Sequence, residues 1–236
     1  GSLGMAGAAM MAARAALHAG AGLTTVICPR AAMPVLQQEV PNATCLAAED
    51  QPTPKCDALL MGCGIAENDD TYADMMRLKA TDAYQVWDAG ALNLLAGHPQ
   101  QLGARAVITP HAGEAARLLG WEIPAVLSDK LGAAEALRAK YGCNVVLKSA
   151  VTVMLTADGQ QCALNAVGSP ALAKGGSGDA LAGILESLLG QGLPMFDAMR
   201  AACLWLGLAG IAAGKRCGVR AALTGDVIDS LGACEG

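Results

Sequence analysis

The stretch SPALAKGGSGDALAGILESLLGQGL, Ser169 to Leu193, sets a glycine turn directly ahead of a long apolar run. Glycines let the backbone approach a ligand closely, and the free N–H groups at a helix start carry a partial positive charge that suits phosphate. Lys174 adds a full charge nearby, and Asp179 places an acid at the helix mouth. In open parallel sheets such turns sit beyond the carboxyl ends of strands, where ligands bind. Taken alone, the stretch equally suits an ordinary turn with Ser177 or Asp179 as the helix N-cap.

The segments upstream build that sheet. Helical apolar periodicity runs from Ala6 to Gly20, and GLTTVICP follows as a β-branched run closed by Pro29. The same alternation returns as CDALLMGCG (Cys56 to Gly64), DDTYADMMRLKA (Asp69 to Ala80), YQVWDAG (Tyr84 to Gly90), ALNLLAG, RAVITP (Arg105 to Pro110) and HAGEAARLLG (His111 to Gly120). Short strands alternating with helices predict a parallel sheet covered on both faces. After a helix over Ser128 to Tyr141, the runs NVVLK, VTVMLTA and QQCALN follow closely, with Asp158-Gly159 as a hairpin signal, and predict an antiparallel edge. Three helical segments finish the chain: Gly178 to Gly190, Asp197 to Gly214 and Gly225 to Leu231. No linker or repeat interrupts residues 1–236, which read as one α/β domain.

Composition bounds the function classes. The 236 residues are 53% hydrophobic and 16% charged, with a net charge of −5, so no basic stripe is available for nucleic acid. Nine scattered cysteines, an odd number without a CxxC pair, fit reduced and mostly buried thiols of a cytoplasmic protein better than a disulfide framework. The longest apolar stretch, Ala201 to Gly214, is shorter than the roughly 20 residues that cross a bilayer and reads as a core helix. No membrane partner and no secretion signal are expected.

Three further loops share the sheet edge. TPHAGE (Thr109 to Glu114) places His111 and Glu114 where a strand gives way to a helix, though Thr109 or His111 could simply cap that helix with Glu114 completing a capping box. LKSAVT (Leu147 to Thr152) ends a strand with Lys148, able to reach a phosphate as a point charge or to remain a solvated strand-end lysine. MGCGIAEND (Met61 to Asp69) is another glycine turn after a strand.

Together, in this order, the loops resemble the ADP/ATP-dependent NAD(P)H-hydrate dehydratases, the C-terminal domain type of the YjeF proteins. GSLGMAGAAMMAARAALHAGAGLTTV is similar to that family's opening helix, MGCG to its Gly-Pro-Gly turn, WDAGALNLL to its Asp-Ala-Asp-Ala-Leu-Asn stretch, and VITPHAGEAARLLG to its Thr-Pro-His-x-Gly-Glu motif. VVLKSAVTVM and NAVGSPALAKGGSGDALAGI resemble its nucleotide and anion-hole segments. A lone GxGD occurs in many sugar and vitamin kinases; TPHxGE upstream of LKxxxT and GGSGD is specific.

The resemblance implies a ribokinase-like three-layer α/β/α sandwich with a mostly parallel central sheet and an antiparallel edge. It implies repair of (6S)-NADHX and NADPHX, the 6-hydroxylated hydrates, to NADH and NADPH while ADP or ATP is split to AMP or ADP plus phosphate. The bacterial form of the resemblance favours ADP. Asp179 would be the catalytic base, and the amides of Gly175, Gly176, Ser177 and Gly178 the anion hole. Lys148, Ser149, Ala150, Val151 and Thr152 would line the nucleotide, with Gly178 beside them. Ala8, Gly64 and His111, together with Asp179, would meet the hydrated substrate, and Glu114 would hold Mg²⁺ through water. A homo-oligomer is the family habit. The chain departs from the pattern in lacking a hydrophobic first strand ahead of GSLGM, in Gly90 standing for the second Asp, and in Val167, Ser169 and Lys174; nor does it carry the epimerase domain often fused to this module. A ribokinase-like kinase for a vitamin-precursor or sugar hydroxyl, and a non-catalytic nucleotide-binding relative, are the alternatives.

Overall fold

The computed structural model describes residues 1–234. In chain order the elements are α1 (Ala6–His18), β1 (Thr24–Cys28), α2 (Met33–Glu39), β2 (Ala43–Ala47), β3 (Ala58–Met61), α3 (Asp69–Lys79), β4 (Tyr84–Trp87), α4 (Gly90–Gly97) and β5 (Ala106–Ile108). They continue as α5 (Ala112–Leu119), α6 (Ile123–Ser128), α7 (Lys130–Tyr141), β6 (Asn144–Leu147), β7 (Thr152–Leu155), β8 (Cys162–Asn165), α8 (Ser177–Gly190), α9 (Met195–Cys217) and α10 (Thr224–Asp229).

Six strands form the central sheet in the order β3-β4-β5-β6-β7-β8. The first four are parallel, β7 runs antiparallel to β6, and β8 antiparallel to β7. The period-2 side-chain alternation of a strand explains the three layers. Val86, Val107, Val146 and Met154 point to one face and pack with α1, α8, α9 and α10, whereas Trp87, Ile108, Val145, Leu147 and Val153 point to the other and pack with α3, α4, α5 and α7. Every residue of β6 and β7 is buried, the signature of strands covered on both sides.

One expectation is corrected here: the strands do not form a single sheet. β1 pairs only with β2, in parallel, and this pair has no ladder to β3. Small satellite clusters, Ala9, Cys28, Ala32 and Leu36 in one and Ala13, Val40 and Ala43 in the other, hold the pair and α2 against α1. Between β1 and β3 lies a cavity of about 1140 Å³, floored by Ala9, Ala12, Ala13 and Ala16 of α1.

Two helix boundaries also differ from the sequence reading. Ser128 ends α6, and α7 begins only after Asp129, whose carboxylate accepts the Gly132 N–H at 2.8 Å. Helix α9 extends to 23 residues and is long and apolar enough, by length and composition, to cross a membrane. One face of it packs into the core, burying Ala198, Met199, Ala202, Leu206, Ala209 and Ala213. All nine cysteines are free; four are buried and Cys162 is exposed.

Candidate active site

The C-terminal ends of β3, β4, β5 and β6 and the N-terminus of α8 converge on one pocket of charge. Asp88, directly after β4, is 2% exposed. Its Oδ1 accepts from Lys148 Nζ at 2.6 Å and from the Thr109 hydroxyl at 2.7 Å. Lys148 follows β6, and its ammonium also lies 4.0 Å from Glu114 Oε2. Burial works against the charge on Lys148, but Asp88 and Glu114 outweigh it and raise its pKa above the ordinary lysine value. The amine is therefore a permanent cation, not a solvated strand-end group.

Opposite Lys148 stands the start of α8. Gly176 occupies the N-cap position in a left-handed conformation (φ +92°) that an L side chain rarely adopts, and no side chain caps the helix. Neither Ser177 nor Asp179 therefore serves as the N-cap. The Ser177 hydroxyl instead faces Thr224 Oγ1 at 3.5 Å, and Thr224 donates to the Gly175 carbonyl at 2.8 Å, tying the turn to α10. Ala180 is the first residue whose N–H bonds back into the helix, to Gly176 O at 2.9 Å; ahead of it the Ser177 N–H reaches the Lys174 carbonyl at 3.4 Å, and none of these amides has an intrahelical acceptor. A Cβ at Gly178 would lie 3.1 Å from Lys148 Nζ, so bare backbone and ammonium face the same space.

Asp179, in the first turn of α8, completes the cluster. Burial raises its pKa, opposed by the neighbouring Cys63 thiol and by Lys148 and reinforced by the charges on Asp88 and Glu114. Its carboxyl therefore binds a proton more readily than an ordinary surface aspartate. The carboxyl groups of Asp88, Glu114 and Asp179 thus gather around the one ammonium of Lys148.

A family model described as NAD(P)H-hydrate dehydratase matches residues 1–232. The chain belongs to that family. The bifunctional NAD(P)H-hydrate repair enzyme Nnr of Vibrio cholerae is 38% identical over 87% of the chain, and the chain covers 42% of that relative. The ADP-dependent (S)-NAD(P)H-hydrate dehydratase of Neisseria meningitidis is 35% identical over 90% of the chain and 74% of its own length. A Bacillus subtilis ADP/ATP-dependent NAD(P)H-hydrate dehydratase co-crystallised with ATP and Mg²⁺ superposes with a TM-score of 0.87 at 25% identity, covering 99% of this chain and 85% of that one. Its likeness bears out the ribokinase-like sandwich. The chain spans about half the length of the bifunctional relatives it matches.

Within this NAD(P)H-hydrate dehydratase fold, several of the residues singled out from sequence are neighbours. Ala8 Cβ is 3.1 Å from where a Cβ on Gly64 would stand, which joins the opening helix to the glycine turn. His111 and Lys148 form a parallel bridge at the sheet edge. His111 caps α5, its Nδ1 accepting the N–H groups of Gly113 at 3.0 Å and Glu114 at 3.3 Å. Glu114 returns the bond, accepting the His111 N–H at 2.8 Å, so the capping box is real. The His111 side chain nonetheless stays 59% exposed. Ser149, Ala150 and Val151 form the β6–β7 turn, where Ser149 N–H and carbonyl both meet Thr152 Oγ1.

Lys174 does not reach the helix mouth. Its ammonium donates to the Arg220 carbonyl at 2.6 Å and is spent on structure. Sequence reasoning missed Asp88 and Thr109 as site residues and read Cys63 only as part of a turn. The acid in WDAG was the available signal for Asp88, but its partner lies 60 residues away.

Proposed function

We propose that the chain catalyses ADP-dependent dehydration of (6S)-NADHX and NADPHX to NADH and NADPH, with AMP and phosphate as the other products. The observation that carries this reading is Asp179 beside the uncapped amides of α8, with Lys148 across from them. Asp179 takes the proton of the 6-hydroxyl as that oxygen attacks the β-phosphorus of ADP, and the bond to AMP breaks. The Gly175, Gly176, Ser177 and Gly178 amides hold charge building on the transferred phosphoryl. Hydroxide leaves a carbon poorly, whereas phosphate leaves well. The ring nitrogen lone pair expels it from C6, and loss of a C5 proton restores the dihydropyridine.

Lys148 through Thr152 would line the nucleotide, while Ala8, Gly64 and the open edge of His111 would face the hydrated ring. The excess of carboxylate over ammonium suits an additional hard cation, and Glu114, whose Oε2 alone is used by the capping box, would hold Mg²⁺ through water. Bound there, Mg²⁺ would neutralise phosphate charge. Free thiols support a cytoplasmic setting. Leu204 and Leu208, exposed one turn apart on α9, support packing of a second copy in a homo-oligomer.

The test is absorbance near 340 nm after mixing the protein with purified hydrate, Mg²⁺ and either ADP or ATP. Recovery with ADP supports the reading, and recovery with ATP alone changes the donor. A stable phosphorylated product without recovery would make the chain a kinase, and nucleotide binding without turnover a non-catalytic relative.

A further inference from the structure

The turn after β3 is clamped from both sides. A side chain on Gly62 would overlap the Asp88 carbonyl oxygen, and one on Gly64 would overlap Met5 O. The Gly62 carbonyl accepts the Gly90 N–H at 3.2 Å, and the Gly64 carbonyl accepts the Ser2 N–H at 2.5 Å and the Ser2 hydroxyl at 3.0 Å. Cys63, held between them, is 6% exposed. Its sulfur and one oxygen each of Asp88 and Asp179 lie within 4.8 Å of one another, which puts the thiol beside the Asp179 carboxyl.

The charges facing Asp179 come from three other elements: Asp88 after β4, Lys148 after β6 and Glu114 on α5. Lys148 is already committed to Asp88 at 2.6 Å. Burial, together with the neighbouring carboxylates, holds the Cys63 thiol well above its ordinary pKa. The sulfur therefore keeps its proton near neutral pH and is available as a donor.

We propose that Cys63 is a positioning residue for Asp179: its S–H donates to one carboxylate oxygen, fixing the rotamer so that the other oxygen faces the substrate hydroxyl. The clamped turn supplies the rigidity, since neither flanking position tolerates a side chain. The proposal rests on the dehydratase reading for its kinetic arm but not for its thermodynamic one.

Two variants test it, Cys63→Ala without a donor and Cys63→Ser with one. Cys63→Ala is expected to lower kcat roughly tenfold or more, in keeping with loss of a hydrogen bond to a charged group, with KM for ADP unchanged. The acidic limb of its pH–rate profile should move to higher pH, because the hydrogen bond favours ionised Asp179; Cys63→Ser should recover most of kcat. Wild-type kcat with an unmoved limb in Cys63→Ala, or a serine variant as impaired as the alanine one, would overturn the proposal. A double-mutant cycle of Cys63→Ala and Asp179→Asn on unfolding stability at pH 7.5 needs no turnover. Coupling between the two changes is expected, and additive effects would sink the Cys63 assignment while leaving the dehydratase reading intact. Failure of the wild type to turn over hydrate would remove that reading and leave the cycle to decide the contact.

Discussion

The Lys148 ammonium stands 2.6 Å from Asp88 Oδ1, joining two side chains 60 residues apart that are 18% and 3% exposed. Removing one partner strands a buried charge, which typically costs about 3–5 kcal/mol. Asp88→Ala is expected to lose stability on that scale in urea unfolding. Lys148→Met should weaken ADP binding as well, measured by calorimetry.

Asp179→Asn should abolish recovery of absorbance and yet stabilise the fold. The folded-state pKa of Asp179 lies above the unfolded value of 3.8. Both states are protonated below 3.8, so no penalty exists there; it grows as pH rises above 3.8 and is complete above the folded pKa. The variant's Tm should therefore exceed wild type at pH 7.5 and converge with it near pH 4 in paired thermal melts.

Glu186 obeys the same linkage away from the chemistry. The side chain lines the cavity beside β3, and burial pushes its pKa up to about 7 from 4.5. Glu186→Gln should raise Tm more at pH 8 than at pH 5, with kcat unchanged. An equal gain at both pH values would show that charge is not the cause.

At His111 capping and substrate contact can be separated by substitution. His111→Ala should lose about 1 kcal/mol with the cap. Asn is a good N-cap, so His111→Asn should keep wild-type Tm while raising KM for the hydrated substrate. Unchanged KM in a stable asparagine variant would reduce His111 to its structural part.

The fold was readable where local pattern and tertiary burial agree. NVVL and TVML are buried along their whole length, and their shortness, β-branched residues and flanking turn signals favour strand over buried helix. Residues 30–55 and 121–127 yielded no element, because α2 has seven residues with Pro34 in its first turn and α6 only six. The separation of β1–β2 from the main sheet was equally hidden, since strand partners are set by tertiary packing. The glycine turns and TPHAGE lie at the sheet edge where Asp88 and Lys148 meet. The commitments of Asp88, Thr109 and Cys63 were not legible, because each depends on a partner on another strand or helix. Lys174 looked like a phosphate ligand only until the Arg220 carbonyl gave it a nearer acceptor.

The isolated β1–β2 pair shapes how the molecule comes apart. Its two strands share five residue pairings with each other and none with β3. Seven buried side chains in the satellite clusters anchor the β1–α2–β2 lobe, against the large continuous cores on either side of the six-stranded sheet. A unit so lightly tied opens before the rest. Amide hydrogens of Val26 and Cys45 should exchange through partial opening, well ahead of those of Val86 and Val146, which wait for global unfolding. Helix α1 bridges both units, so a loosened lobe would be felt at Ala8 and Gly64 first.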